Sequence, residues 1–180
     1  MTAHQRPEKK LTWPDRRFVD LLGIEHPLVL APMAGLGTVE LAASVCAGGG
    51  LGSLGCVGLR PERVMQAVDK LRRLTSKPIN TNFFCHSAAP ADRAREANWR
   101  DRLVPYYNEL GLDPSLATGQ SEILPFDDAL CRAVEHVKPE VVSFHFGLPE
   151  PALLARVKAA GCRVMASATT VAEARWLEAR

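Results

Sequence analysis

The chain has 180 residues, of which 47% are hydrophobic and 23% charged, a composition typical of one folded domain rather than a disordered segment. The net charge is only +2 and no basic stripe with interleaved aromatic residues occurs, so we expect no nucleic-acid partner. No apolar run has the length of a membrane span, and residues 1–17 lack the apolar core of a signal peptide. We therefore predict a cytoplasmic protein without membrane association, with a flexible extension over 1–17 and a folded part over 18–180.

The cysteines are odd in number and scattered through apolar or helical contexts. They are Cys46, Cys56, Cys85, Cys131 and Cys162. Their spacing fits neither a zinc site nor a disulfide framework, so we predict no metal and interpret them as free thiols in a reducing compartment. A catalytic cysteine is the less favoured alternative, because no activating neighbour is visible in the sequence.

The apolar run at 27–31 ends abruptly in the sequence APMAG at 31–35, and a helical pattern follows over 37–47. This order predicts a buried strand, a turn that exposes main chain, and a helix. Proline removes a donor and Gly35 permits close approach of a ligand, as at the cofactor sites of α/β proteins. The alternative is a strand-to-helix connection that binds nothing.

The second predicted strand, over 51–55, is rich in glycine and follows three glycines that end the preceding helix. Glycine weakens a strand, so its repetition indicates close packing of another segment on this strand. A phosphate-binding loop is the competing interpretation. We disfavour it because neither known glycine-rich nucleotide motif is present. A clearly amphipathic helix follows over 61–74.

The third predicted strand, over 78–84, carries Asn80 and Asn82 on one face. Buried carboxamides need hydrogen-bond partners, and two of them near the carboxyl end of a strand form a candidate polar floor for a ligand. Asn82, nearer the strand end, is the stronger candidate. The alternative is that both side chains satisfy nearby loop backbone.

A helical insertion is predicted over about 86–120, with a helix at 91–110 that Pro105 interrupts. Such an insertion after a strand is a common place for a substrate cap. Tyr106 and Tyr107 are candidates to line a pocket, although we favour core packing for both.

The fourth strand is predicted over 140–147, after a helix at 125–137. Alternation places Val141, Ser143 and His145 on the inner face, whereas Val142, Phe144 and Phe146 face the helices. His145 lies close to the carboxyl end and is a candidate for ligand binding or proton transfer, with a structural histidine as the alternative. After a helix at 149–160, a fifth strand over 162–170 ends in hydroxylated residues that include Ser167, and a last helix covers 171–180.

Five strands that alternate with helices indicate an α/β fold, either a doubly wound sheet or part of a (β/α)8 barrel. Polar residues at the carboxyl ends of successive strands favour the TIM barrel. A complete barrel usually needs about 250 residues. We therefore expect a barrel truncated after about five βα units, that is, a fragment.

Five segments together resemble the nitronate monooxygenase family, formerly called 2-nitropropane dioxygenases. They are APMAG at 31–35, GGGLG at 48–52, KPINTNF at 77–83, SFHFGLP at 143–149 and ASATTVAEA at 166–174. The resemblance implies an FMN-dependent TIM-barrel enzyme that oxidises alkyl nitronates with O2 to a carbonyl compound and nitrite.

The resemblance also implies a set of cofactor-binding residues in a turn and at three later positions. The turn residues that would lie against the flavin are Ala31, Pro32, Met33 and Ala34. Asn82 would hydrogen-bond the flavin or its ribityl chain, and His145 and Ser167 would lie near the ring. The family's Ala-Gly-Gly-His run, with its presumed catalytic base, and its later phosphate-binding loops do not occur in these 180 residues. The catalytic residue is therefore unassigned, with His145 as a secondary candidate, and we expect weak FMN binding and little or no turnover.

Two other functions stay open at this point. One is a flavoenzyme similar to the enoyl-acyl-carrier-protein reductase, which would use a nicotinamide donor. The other is a half-barrel without catalysis that associates with a partner, or with itself, through its open sheet edges.

Overall fold

The computed structural model describes residues 13–87, 92–116 and 123–180. Its strands are β1 (Gly52–Gly55), β2 (Ile79–Phe84), β3 (Val141–His145) and β4 (Arg163–Ala166). Its helices are α1 (Arg17–Leu22), α2 (Val39–Ala47), α3 (Pro61–Leu74), α4 (Arg93–Glu109), α5 (Asp128–Val137), α6 (Pro151–Ala159) and α7 (Val171–Glu178), with a 3-10 turn at Pro114–Leu116. None of the described helices is both long and apolar enough to cross a membrane.

The four strands form one parallel sheet in the order β1-β2-β3-β4, with helices in each connection. The predicted first strand is reduced to a single bridge between Val29 and Leu51. Its two hydrogen bonds, from the Leu30 and Leu51 amides, are both 2.9 Å long. The ladder does not continue because the next donor along this segment would be Pro32, which has no N–H.

The helices begin where the sequence offers capping groups. The Thr38 hydroxyl accepts the Leu41 N–H at 3.0 Å before α2, and the Asp127 carboxylate accepts the Leu130 N–H at 2.8 Å before α5. Thr170 and Glu173 form a reciprocal capping box at the start of α7. These caps satisfy amides that have no partner inside a helix, and they fix where each helix leaves the sheet edge.

One face of the sheet packs against α2, α3, α5 and α6 to form the main hydrophobic core. In α3 the buried residues Val64, Val68 and Leu71 follow helical spacing and lie against the apolar side chains of β1, β2 and β3. The helix-facing residues of the strands are Leu54, Ile79, Phe83, Val142, Phe144 and the half-buried Val164. The opposite face of each strand is therefore the inner, barrel-type face.

Close packing explains the glycine-rich second strand. An ideal Cβ at Gly52 would lie 2.3 Å from the main-chain oxygen of Ala42 and 2.6 Å from the Cys46 sulfur. Only glycine lets α2 approach β1 this closely. The structural interpretation of this strand is thus confirmed over the phosphate loop.

A second cluster closes the amino-terminal end of the inner face. Val19 and Leu22 of α1 pack with Ile24, Leu51 and Val141. The half-buried Trp13 also contacts this cluster and donates its indole N–H to the Glu25 carbonyl at 3.0 Å. The end of the segment 1–17 is therefore packed here, and residues 1–12 lie outside the described part.

The structure also corrects the predictions for Phe146 and for the insertion. Phe146 does not face the helices: β3 ends at His145, and Phe146 is 64% exposed with a left-handed φ of 64°, so strand alternation stops before it. In the predicted insertion, α4 continues through Pro105 and buries none of its side chains. Core packing of Tyr106 and Tyr107 was therefore wrong, since charged residues surround α4 and leave it no apolar stripe. Residues 88–91 and 117–122 of that insertion lie outside the described part.

Candidate functional site

The strand register brings the predicted polar residues into one row near the carboxyl edge of the sheet. Gly55 pairs with Asn82, Asn82 with Ser143, and Ser143 with Met165. One step nearer the edge, Phe84 pairs with His145. Because all strands are parallel, their carboxyl ends meet at this edge, as they do around TIM-barrel active sites.

The turn at 31–35 lies directly on the end of β1. An ideal Cβ at Gly55 would be 2.8 Å from both the Ala34 nitrogen and the Met33 carbonyl carbon, so Gly55 makes room for the turn. The Gly37 N–H closes the turn on the Met33 oxygen at 2.8 Å. Ala31 and Ala34 are exposed, whereas Pro32 and Met33 are half-buried. Small side chains and accessible main chain are therefore presented beside the row that contains Asn82.

Two asparagines and two serines form a buried polar cluster on the inner face. Asn82 Nδ2 donates to the Ser143 carbonyl at 3.1 Å and to Ser143 Oγ at 3.0 Å. Asn80 Nδ2 donates to Ser53 Oγ and to Ser143 Oγ, both at 3.0 Å. All four residues are at least 95% buried. The hydrogen-bond partners of both asparagines lie on neighbouring strands. The interpretation that the asparagines satisfy loop backbone is therefore wrong.

The cluster has spare hydrogen-bond acceptors. Asn80 Oδ1 is buried without a partner, which is costly for an amide oxygen. Asn82 Nδ2 donates to Ser143, and none of the side-chain hydrogen bonds among the described residues ends on Asn82 Oδ1. The arrangement can therefore accept hydrogen bonds from a ligand that carries N–H or O–H groups.

His145 lies at the end of β3 within an aromatic group. Its ring centroid is 5.9 Å from that of Phe84 and 6.5 Å from that of Phe146, and the Phe84 and Phe146 rings are 4.7 Å apart. Within the described part, the half-buried imidazole makes these ring contacts but no hydrogen bond. Its role in binding or proton transfer stays a prediction. Ser167 follows β4 at the same edge, where its N–H points to the Phe144 oxygen at 3.4 Å and its side chain is exposed.

The cysteines have the chemistry of inert thiols. All five are free, and four are buried. Burial raises the pKa of Cys56 and of Cys85 to about 12 and that of Cys162 to about 11, and it also raises the pKa of Cys46 and Cys131. These shifts are opposite to those of a catalytic thiolate. Among the described residues, no group of three or more side chains could hold a metal ion.

A cavity of about 940 Å³ lies between the end of β2 and helices α5, α6 and α7. Its lining includes Cys85, Asp127, Leu148 and Trp176, but none of the predicted cofactor residues. The polar row, rather than the volume of this cavity, identifies the candidate site.

Gly55 and Ser143 belong to the site but were not among the predicted site residues. The sequence does indicate these residues, because the alternation along each strand places them on the inner face. What the sequence does not give is the register that places Ser143 beside Asn82 and Gly55 beneath the turn.

The sequence matches the family model described as nitronate monooxygenase over residues 15–180. It is 43% identical over 166 residues to a nitronate monooxygenase of Paraburkholderia phytofirmans, which covers 91% of this chain and 45% of that protein. It is 41% identical over 165 residues to a nitronate monooxygenase of Pseudomonas aeruginosa, which covers 91% of this chain and 47% of that protein. The chain thus spans about half the length of the curated relatives it matches.

Solved structures with the same fold include a nitroalkane oxidase from Streptomyces ansochromogenes. That structure has a TM-score of 0.74 and 32% identity, and the match covers 89% of this chain and 45% of that one. FabK from Thermotoga maritima has a TM-score of 0.64 and 28% identity, with 91% of this chain and 40% of that chain covered. The alternating strands and helices are accordingly βα units of the TIM-barrel type. The chain belongs to the nitronate monooxygenase family, a family of enzymes.

Proposed function

We propose that this protein acts in the FMN-dependent oxidation of alkyl nitronates by O2 to a carbonyl compound and nitrite. Family membership supports the reaction class. The observation that carries the proposal is the row formed by Gly55, Asn82 and Ser143, with the turn at 31–35 on one end and His145 beside it.

The residues at this edge fit a flat ring with polar substituents. Ala31 and Ala34 have side chains small enough for a ring to approach the main chain, and the main chain of Met33 and Ala34 lies against Gly55 of β1. The free carbonyl oxygen of Asn82 would accept a hydrogen bond from the flavin or its ribityl chain. FMN, when bound, supplies the electron-transfer and oxygen chemistry of the reaction.

The protein's own part is to bind and orient the reactants. The turn would hold one face of the flavin, whereas His145 and Ser167 would lie at the opening where an alkyl nitronate enters. Phe84 and Phe146 add apolar surface beside His145, which favours the alkyl group of the substrate and excludes water. We assign no catalytic base, and His145 is the secondary candidate for that role.

We also propose a cytoplasmic location and self-association. Five free thiols are typical of a reducing compartment. The edge strand β4 is exposed or half-exposed along its length, and such an edge can pair with another chain. Sedimentation velocity at several protein concentrations tests the association, and a monomer at every concentration would contradict it.

The first experiment is to mix the purified chain with FMN, remove free FMN by desalting, and record the visible spectrum. The complex is then mixed with propyl nitronate in air, and nitrite is measured. We expect the wild type to retain a small amount of flavin that rises with the FMN concentration, in keeping with weak binding, and Asn82→Ala to retain less. Asn98→Ala, on the exposed surface of α4, serves as the matched control. A wild-type chain without flavin absorbance, whatever the FMN concentration, would refute the proposed cofactor site.

The same complex separates the proposal from its alternatives. Flavin bleaching by NADH without oxygen, together with no nitrite from the nitronate, would favour a nicotinamide-dependent enoyl-acyl-carrier-protein reductase. Retained flavin with neither activity would favour a half-barrel without catalysis.

A further inference from the structure

The amide of Asn82 is held in one orientation by its partner on β3. The main-chain carbonyl of Ser143 can only accept hydrogen bonds, and it lies 3.1 Å from the terminal amide of Asn82. A flipped amide would bring two oxygens into contact at that distance. The nitrogen of Asn82 must therefore face β3, and its carbonyl oxygen must face away from β3.

Asn80 is not fixed in the same way, although it belongs to the same cluster. Both of its side-chain partners, Ser53 Oγ and Ser143 Oγ, are hydroxyls that can donate or accept. Ser143 thus determines the orientation of the Asn82 amide through its carbonyl, and its hydroxyl, 3.0 Å from the Asn82 nitrogen, is a second contact that holds the amide in place.

On the side away from β3, Asn82 lies next to the end of β1. Its neighbour there is Gly55, which has no side chain and supports the main chain of Met33 and Ala34. None of the side-chain hydrogen bonds among the described residues ends on the side-chain carbonyl oxygen of Asn82, whose nitrogen donates to Ser143.

We propose that Ser143 is a positioning residue that fixes the Asn82 amide so that its carbonyl oxygen accepts a hydrogen bond from the flavin. The inference rests on the proposed function and deepens it. Ser143 itself is 5% exposed and acts only through Asn82. Its hydroxyl is the part of this arrangement that a substitution can remove, since the carbonyl of residue 143 stays in any variant.

The chain contains a matched control for this role. Ser53 is as buried as Ser143 and contacts Asn80 through the same kind of hydrogen bond, but it does not contact Asn82. Ser53→Ala and Ser143→Ala therefore remove the same group from the same polar cluster. Only the second removes a partner of Asn82.

The experiment measures the Kd for FMN by quenching of flavin fluorescence, with the melting temperature of each variant as a check on folding. We expect Ser143→Ala to weaken FMN binding about three- to tenfold, the effect of one lost neutral hydrogen bond, and Ser53→Ala to leave it unchanged. Ser143→Thr, which keeps the hydroxyl, should restore most of the affinity. In an Asn82→Ala background, Ser143→Ala should have no further effect on the Kd.

Several outcomes would overturn the proposal. Ser143 would have a merely structural role if Ser53→Ala and Ser143→Ala lost the same affinity for FMN. The same would follow if Ser143→Ala weakened FMN binding as much in the Asn82→Ala background as in the wild type. If Ser143→Ala does not fold, Ser143→Cys, which keeps the size but is a weak acceptor, must still bind FMN less tightly than the wild type. If the wild type and Ser143→Ala bind FMN equally well, the role of Ser143 is refuted but the cofactor site is not. A wild type that binds no FMN refutes the cofactor site and this role together.

Discussion

Replacement of Gly52 by alanine tests the close packing of α2 on β1. The new Cβ would lie 2.3 Å from the Ala42 carbonyl oxygen, whereas ordinary contacts begin near 3.4 Å. Helix and strand would therefore have to separate by about 1 Å, because the obstacle is main chain and cannot rotate away. Extra methyl groups in a packed core cost about 1–3 kcal/mol. We expect Gly52→Ala to lower the free energy of unfolding by about 3 kcal/mol, a large part of a typical domain's stability.

The assay is urea unfolding followed by circular dichroism, with the slope of the transition compared between variants. Gly48→Ala is the matched control, since Gly48 has a φ of −74° and an added Cβ would meet its nearest neighbours at 3.5 and 3.6 Å. That variant should be neutral or slightly stabilising. A Gly52→Ala protein within about 0.5 kcal/mol of the wild type would refute the packing argument.

Three further predictions concern the helix α5, an ion-pair network and the thiols. Lys138 ends α5 with a left-handed φ of 44°, so Lys138→Gly should stabilise by about 1 kcal/mol and raise Tm by about 2–4 °C in a thermal melt. The Arg156 guanidinium lowers the pKa of Glu135 and of Asp128 below their ordinary pKa values of 4.5 and 3.8. The ion pairs therefore contribute fully to stability at a pH above those ordinary pKa values. This contribution is lost as the pH falls through the lower pKa values of the folded state. Tm should accordingly fall less steeply for Arg156→Met than for the wild type between about pH 6 and pH 3, and parallel curves would contradict this. Burial raises the pKa of Cys85 to about 12, so the native thiols should react slowly with a disulfide reagent near about pH 8, and rapid reaction before unfolding would count against the structure.

Much of the fold follows from local patterns in the sequence. Apolar runs and amphipathic spacing located the four strands of the sheet and the helices that cover it. The first of the five predicted strands was overestimated, since Pro32 limits its ladder to one bridge. Phe146 was misplaced because a left-handed residue ends the alternation, and sequence patterns give no sign of that for phenylalanine.

The candidate site was predictable only in part. The face of Asn82 and the place of His145 near a strand end followed from alternation along single strands. The partners of Asn82 did not, because Ser143 is 61 residues away in sequence and meets it only through the pairing of β2 with β3. Contacts of this kind depend on the register between strands, which no local pattern specifies.

The buried asparagines and serines also have a consequence for folding accuracy. A slip of β2 by one residue relative to β3 would turn Asn80 and Asn82 into the apolar helix side and would bring Ile79 and Phe83 to the inner face. Each misplaced carboxamide would lose its serine partner in a setting without water, at a cost of about 1–3 kcal/mol per group. The polar cluster thus destabilises wrong pairings of these two central strands and favours the native register during folding.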